Sequence, residues 1–171
     1  MLTGAWTVAL TVVFAATGLY CVWRLAARRS QGHETVVDVS HVLMSPAMLV
    51  MLWWPMASTG KWAQIAVFGG LAILFFHHLS GSDTVPERAG AMAHAAMSLG
   101  MVWMLVAMPL LMSGGAWTTL LSWVAVGLLA ITAGWWLNRA ARIPGHRVLC
   151  SCHAASCAGM ATMLALMTPA I

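Results

Sequence analysis

A histidine followed at helical intervals by methionines recurs three times in this chain. The copies read His41-Val-Leu-Met44-Ser45-Pro-Ala-Met48-Leu-Val-Met51-Leu52, His94-Ala-Ala-Met97-Ser98-Leu-Gly-Met101-Val-Trp-Met104-Leu105 and His153-Ala-Ala-Ser156-Cys157-Ala-Gly-Met160-Ala-Thr-Met163-Leu164. They share one frame: His, then Met or Ser at +3, Ser or Cys at +4, Met at +7 and +10, and Leu at +11. Each copy ends in a proline, Pro55, Pro109 or Pro169. Agreement at this many positions exceeds what a chance distribution of fourteen methionines would give. Thioether sulfur is a soft, neutral donor that selects Cu(I), and imidazole accepts Cu, Zn or Fe. The repeated residues could therefore bind a soft metal ion.

Chemistry of this kind depends on the elements that hold the stripes. The chain has 171 residues, 61% of them hydrophobic and 7% charged, with a mean hydropathy of +0.86. A soluble domain carries about 25% charged residues. This composition points instead to an integral membrane protein of one domain, residues 1–171. The net charge of +4 reports topology rather than nucleic-acid binding, because the basic residues flank apolar spans. A hydrocarbon core of about 30 Å needs about 20 apolar residues per helix. Six stretches qualify, at about 4–26, 36–57, 61–80, 89–112, 115–137 and 148–169. Their length and lack of period-2 alternation predict helices rather than barrel strands. The first has no charge before its apolar core, as a secretory signal peptide would, and is expected to be retained.

Three connections hold nearly all the charge: Arg24, Arg28, Arg29, His33 and Glu34 in the first, Asp83, Glu87 and Arg88 in the second, and Arg139, Arg142 and Arg147 in the third. The other two, Ala57-Ser58-Thr59-Gly60 and Ser113-Gly114-Gly115, carry none, and Lys61 stands beside the first of them. The positive-inside rule then makes the charged side cytoplasmic and both termini extracytoplasmic, in a multi-pass protein of the plasma membrane. The repeat unit is a helical hairpin, spanning approximately 1–57, 61–112 and 115–171. With two helices per unit, the repeats are parallel about an axis along the membrane normal. The expected fold is all-α, with six transmembrane helices arranged as three hairpins around a pseudo-threefold axis.

At ~100° per residue, positions 0, +3, +7 and +10 lie within an arc of ~80°. If the stripes converge, they form layers: His41, His94 and His153; then Met44, Met97 and Ser156 with Cys157; then Met48, Met101 and Met160; then Met51, Met104 and Met163. Such an axis would bind and conduct Cu(I), passing the ion between neutral donors. Cys150-Ser-Cys152-His153, near His146, adds soft donors as a loading or release point. Asp38, three residues before His41, could orient that imidazole or simply complement a helix N-terminus.

Two other functions fit the same residues. Facing histidines can ligate b-type haem, and His77 and His78 at the end of the third span could join His41, His94 and His153 in doing so. Methionine at helical spacing is also adaptable core filler, which would suit a structural or accessory subunit of a larger membrane complex. Expected partners are the lipid bilayer, a metal ion and a copper carrier or such a complex, with no nucleic acid. No phosphate-binding loop, Ser/His/Asp arrangement or pair of carboxylates within a span is visible, so no enzyme activity is expected.

The remaining features suggest membrane architecture. Trp53, Trp54, Trp62 and Trp117 near outer ends, and Trp23, Trp135 and Trp136 near inner ends, would form interfacial belts. Gly69, Gly70, Gly127 and Gly134 would permit close helix approach, and Pro46 would kink the second helix.

The His-x-x-Met-Ser-x-x-Met-x-x-Met-Leu stripe, the length and the charge layout resemble an actinobacterial family of small membrane proteins catalogued as a domain of unknown function. That resemblance implies a six-helix fold in an actinobacterial plasma membrane and no particular activity. The Met-x-x-x-Met spacing of Met44/Met48, Met97/Met101 and Met163/Met167 is similar, by analogy of spacing alone, to that of eukaryotic copper transporters.

Overall fold

The computed structural model describes residues 4–27, 29, 32–53, 58–81, 84–112 and 115–168. They form six α-helices: α1 (Gly4–Ala26), α2 (His33–Trp53), α3 (Ser58–Gly81), α4 (Val85–Met112), α5 (Ala116–Arg142) and α6 (Arg147–Met167). A 3-10 turn at Pro144–His146 leads into α6. All six helices are long and apolar enough to cross a membrane, and no strand occurs among the described residues. The chain is an all-helical, multi-pass membrane protein. Arg28, Trp54, Pro55, Ala57, Asp83, Ser113, Gly114 and Pro169, expected from the sequence in loop, belt or terminator roles, lie outside the described residues.

Several charged residues assigned to loops by hydropathy are helical instead. Arg139 and Arg142 occupy the last turn of α5, and Glu34 and Glu87 occupy the first turns of α2 and α4. Cations near a helix C-terminus and anions near an N-terminus complement the helix dipole, so the helices extend past their apolar runs. Arg142 Nε also donates to Asn138 Oδ1 at 3.0 Å, one turn back. α2 continues without a break through Pro46.

Burial divides the helices into two classes. In their most apolar stretches, α2, α4 and α6 are 50–56% buried, whereas α1, α3 and α5 are only 17–28% buried. The even-numbered helices are the inner ones, and the odd-numbered helices present Val12, Leu19, Ile73, Leu128 and Ile131 outward, as a lipid-facing layer would. α1 packs on α2, α3 on α4 and α5 on α6; further contacts join α4 to α5, α1 to α6 and α4 to α6. Cross-helix hydrogen bonds fix the register. Trp53 Nε1 donates to Thr11 Oγ1 at 3.0 Å, and Trp103 Nε1 donates to Ser122 Oγ at 3.1 Å.

The close approaches lie at glycines other than those singled out by the sequence. A Cβ added at Gly69, Gly70, Gly127 or Gly134 would meet nothing within 4 Å. One added at Gly18 would fall 2.7 Å from Ser45 Cβ and Oγ, and one at Gly159 would fall 2.9 Å from the Phe14 ring. These two sites hold α1 against α2 and α6, because only a missing side chain lets the backbones come so near. Gly18→Ala should therefore destabilise the bundle by about 1–3 kcal/mol, measured by denaturation in detergent. Gly69→Ala should be neutral or stabilising by up to about 1 kcal/mol. Equal losses from both substitutions would contradict this packing.

Candidate metal centre

His41, His94 and His153 stand eight, nine and six residues after the first residues of α2, α4 and α6. At 1.5 Å per residue they sit roughly 9–14 Å inside the bundle from those helix starts. There they converge. Each offers a ring nitrogen, and the three nitrogens lie within 4.8 Å of one another. Ring centroids are separated by 4.4 Å between His41 and His153, 4.9 Å between His94 and His153 and 5.6 Å between His41 and His94. All three side chains are at most 2% exposed.

His153 Nδ1 and His41 Nε2 share a hydrogen bond of 2.6 Å. Such a bond needs a proton on one nitrogen and a lone pair on the other, so the tautomers of the two rings are interlocked. Ser45 Oγ donates to the His41 carbonyl at 2.9 Å, bracing the α2 backbone one turn away. Phe75 stacks on His94 with centroids 5.3 Å apart and planes 29° apart. Trp136 packs 4.6 Å from His153 and 5.4 Å from His94. Aromatic walls thus fix two imidazoles.

Beyond the ring, the methionine rungs share one buried cluster. Met44, Met48, Met51, Met97, Met101, Met104, Met160 and Met163 all belong to it, with Cys157 and Cys150. Seven of these eight methionines are at most 4% exposed, and Met51 is 9% exposed. Ser156 is buried as well. Met160 lies over Gly100, where an added Cβ would stand 3.3 Å from the methionine methyl, so α6 and α4 meet next to Met101.

On the loop side, a cavity of about 290 Å³ reaches the ring. His94 and His153 line it together with Trp136, Asp38, Cys150 and His146. Glu34 and Glu87 flank it at the starts of α2 and α4. The cavity connects the charged end of the bundle to the imidazoles. Asp38 is fully buried, and its Oδ2 pairs with Arg24 Nε at 3.1 Å. Arg24 also donates to Glu34 through an Nη–Oε contact of 2.7 Å.

The Cys150-x-Cys152 pair does not face one site. Cys150 is buried on the ring cavity, whereas Cys152 is half-buried beside Val12, Val13 and Thr17 of α1. Residues two apart on a helix point ~200° apart, which explains the split. His77 is exposed and His78 half-buried, and neither lines the ring cavity; Phe75 occupies the face of His94 instead. Trp136 was missed as a site residue. Adjacent tryptophans near a span end suggest an interfacial belt, but Trp136 turns inward, is 7% exposed and leaves its Nε1 without a hydrogen-bond partner.

As a donor set, three imidazoles could hold one metal ion. A tetrahedral shell with bonds of about 2.05 Å holds ligand nitrogens about 3.3 Å apart. The His41–His153 contact must therefore open by less than 1 Å, within the reach of side-chain torsions. His41→Ala should lower stability by about 1–3 kcal/mol in metal-free protein, because it strands the buried His153 nitrogen. His77→Ala should change it by less than about 0.5 kcal/mol. Chemical denaturation of both variants checks this, and a neutral His41→Ala would contradict the ring.

Comparison with known proteins comes to one family. No curated protein and no solved structure matches the chain. Residues 33–167, which span every histidine and methionine of the three stripes, match a family described as Domain of unknown function (DUF5134). The chain belongs to that family.

Proposed function

We propose that this protein binds Cu(I) at the His41–His94–His153 ring and conducts it along the methionine layers that follow. The observation that carries the proposal is the convergence of three buried imidazoles from α2, α4 and α6, whose ring nitrogens lie within 4.8 Å of one another. The methionines behind them share the same core. Imidazole and thioether are neutral donors of the kind that suit copper, with thioether favouring its monovalent state. Binding by neutral donors also leaves an ion free to move between neighbouring layers.

Met44, Met48 and Met51 on α2, Met97, Met101 and Met104 on α4, and Met160 and Met163 on α6 are the stepping positions, with Cys157 beside the first layer. Cys150 and His146 line the cavity and supply donors on the way to the ring. Cys152 is left out of this path by its position toward α1.

In this proposal the three hairpins are related by a pseudo-threefold axis. In support, α1 packs on α6 and α5 on α4, while α3 faces α2 across an apolar groove of about 280 Å³. Each outer helix thus adjoins the inner helix of another hairpin. The cavity opens at the end that holds Arg139, Arg142 and Arg147, which the positive-inside rule makes cytoplasmic. Both termini then lie outside the plasma membrane.

A haem function draws on the same histidines but fits less well. The imidazoles of the ring pack against one another rather than across a flat slot, and methionines fill the space beyond.

Purified protein titrated with Cu(I) against a competing chelator should retain the ion stoichiometrically, with no Soret band. His94→Ala and Met101→Leu should each weaken retention by at least about tenfold. Unchanged copper retention in both folded variants would overturn the proposal, as would a stoichiometric Soret absorbance in wild type.

A further inference from the structure

The Arg24–Asp38 pair has a consequence for which ion the ring accepts, and it rests on the metal-binding role proposed above. Asp38 is fully buried, lies one turn before His41 on α2, and lines the same cavity as His94 and His153. It is nevertheless outside the set of groups that converge within 4.8 Å. Arg24, itself 7% exposed and projecting from the last turn of α1, holds it by the 3.1 Å Nε–Oδ2 contact. The Nη2 of the same guanidinium grips Glu34 at 2.7 Å. Both carboxylates on the α2 side of the cavity are thereby engaged by one cation.

Stability alone does not account for this arrangement. A buried ion pair is often no better for stability than apolar residues of the same volume, because desolvation offsets the Coulomb attraction. Its effect on the donor set is larger. Three imidazoles alone form a neutral shell that takes Cu(I) as it stands and Zn²⁺ only with a fourth donor. Three imidazoles with a carboxylate form an anionic four-donor shell of the kind that holds Zn²⁺ tetrahedrally. A free carboxylate would also offset one charge of a divalent ion, whose burial among apolar helices is otherwise costly.

We infer that Arg24 is a specificity-determining residue that sequesters Asp38 and so keeps the His41–His94–His153 ring selective for a monovalent soft ion over Zn²⁺. Arginine suits the task because its planar fork engages two carboxylates at once and remains charged, which a lysine ammonium does less well.

The test compares wild type, Arg24→Gln and Arg24→Gln/Asp38→Asn as purified full-length proteins. Each is titrated separately with Zn²⁺ and with Cu(I), and Co²⁺ serves as a visible-absorption probe of tetrahedral geometry. Arg24→Gln should bind Zn²⁺ at least tenfold more tightly than wild type and show tetrahedral Co²⁺ bands. Adding Asp38→Asn should abolish both gains. A folded Arg24→Gln protein without a zinc gain would overturn the inference, and so would a gain that survives Asp38→Asn. If Arg24→Gln is not monodisperse, Arg24→Lys carries the same comparison, with a smaller zinc gain that Asp38→Asn again removes; no gain there also overturns it. Failure of the metal site itself has a different signature: copper retention in wild type that is absent or unaffected by His94→Ala.

Discussion

Burial of polar side chains in an apolar bundle is the constraint on which the rest of this structure depends. Three imidazoles lie at most 2% exposed among helices whose outer faces are hydrocarbon-like. Such groups are costly inside a membrane-length bundle unless they satisfy one another or a ligand. His41 and His153 do so by sharing a hydrogen bond, and Phe75 and Trp136 enclose the remaining ring faces. The same constraint operates one turn away, where Asp38 can remain buried because Arg24 reaches it from α1. Inner and outer helices follow from this. The polar and sulfur-bearing stripes of α2, α4 and α6 turn inward, while α1, α3 and α5 cover them.

Methionine suits the space behind the ring for reasons of both packing and chemistry. Its unbranched side chain fills irregular gaps between helices, and its polarizable sulfur is adaptable in a way that a branched side chain is not. Close approach at Gly100 lets Met160 reach across to α4. In the proposed function, a core of this composition repacks locally as an ion passes, without separating the helices. A leucine core would be equally apolar and would offer no donor.

Much of this was legible in the sequence, because both governing signals are periodic. Hydropathy over windows of about 20 residues located all six helices, and the His–Met frame placed three histidines at one level. Helix ends were less legible: the dipole stabilises Arg139 and Arg142 in α5 beyond the apolar run. Partner choice across helices was not legible at all. Arg24 with Asp38, Trp136 with His153, and Gly18 against Ser45 are pairings between segments of similar composition, and nothing local distinguishes them. The glycines illustrate the point. Gly69 and Gly70 form the more conspicuous motif but face open space, whereas isolated Gly18 sits at the tight crossing. Cys150 and Cys152 look like a pair in the sequence, yet a helical turn sends them to different faces.

The proposed function makes one claim above the others, that a soft ion sits among the three imidazoles. X-ray absorption at the copper edge of Cu(I)-loaded protein tests it most directly, because the method reports ligand type and number around the metal. Two or three imidazole nitrogens, with thioether sulfur completing the shell, are predicted. A shell of thiolate sulfur or solvent oxygen alone, without imidazole scattering, would contradict the account.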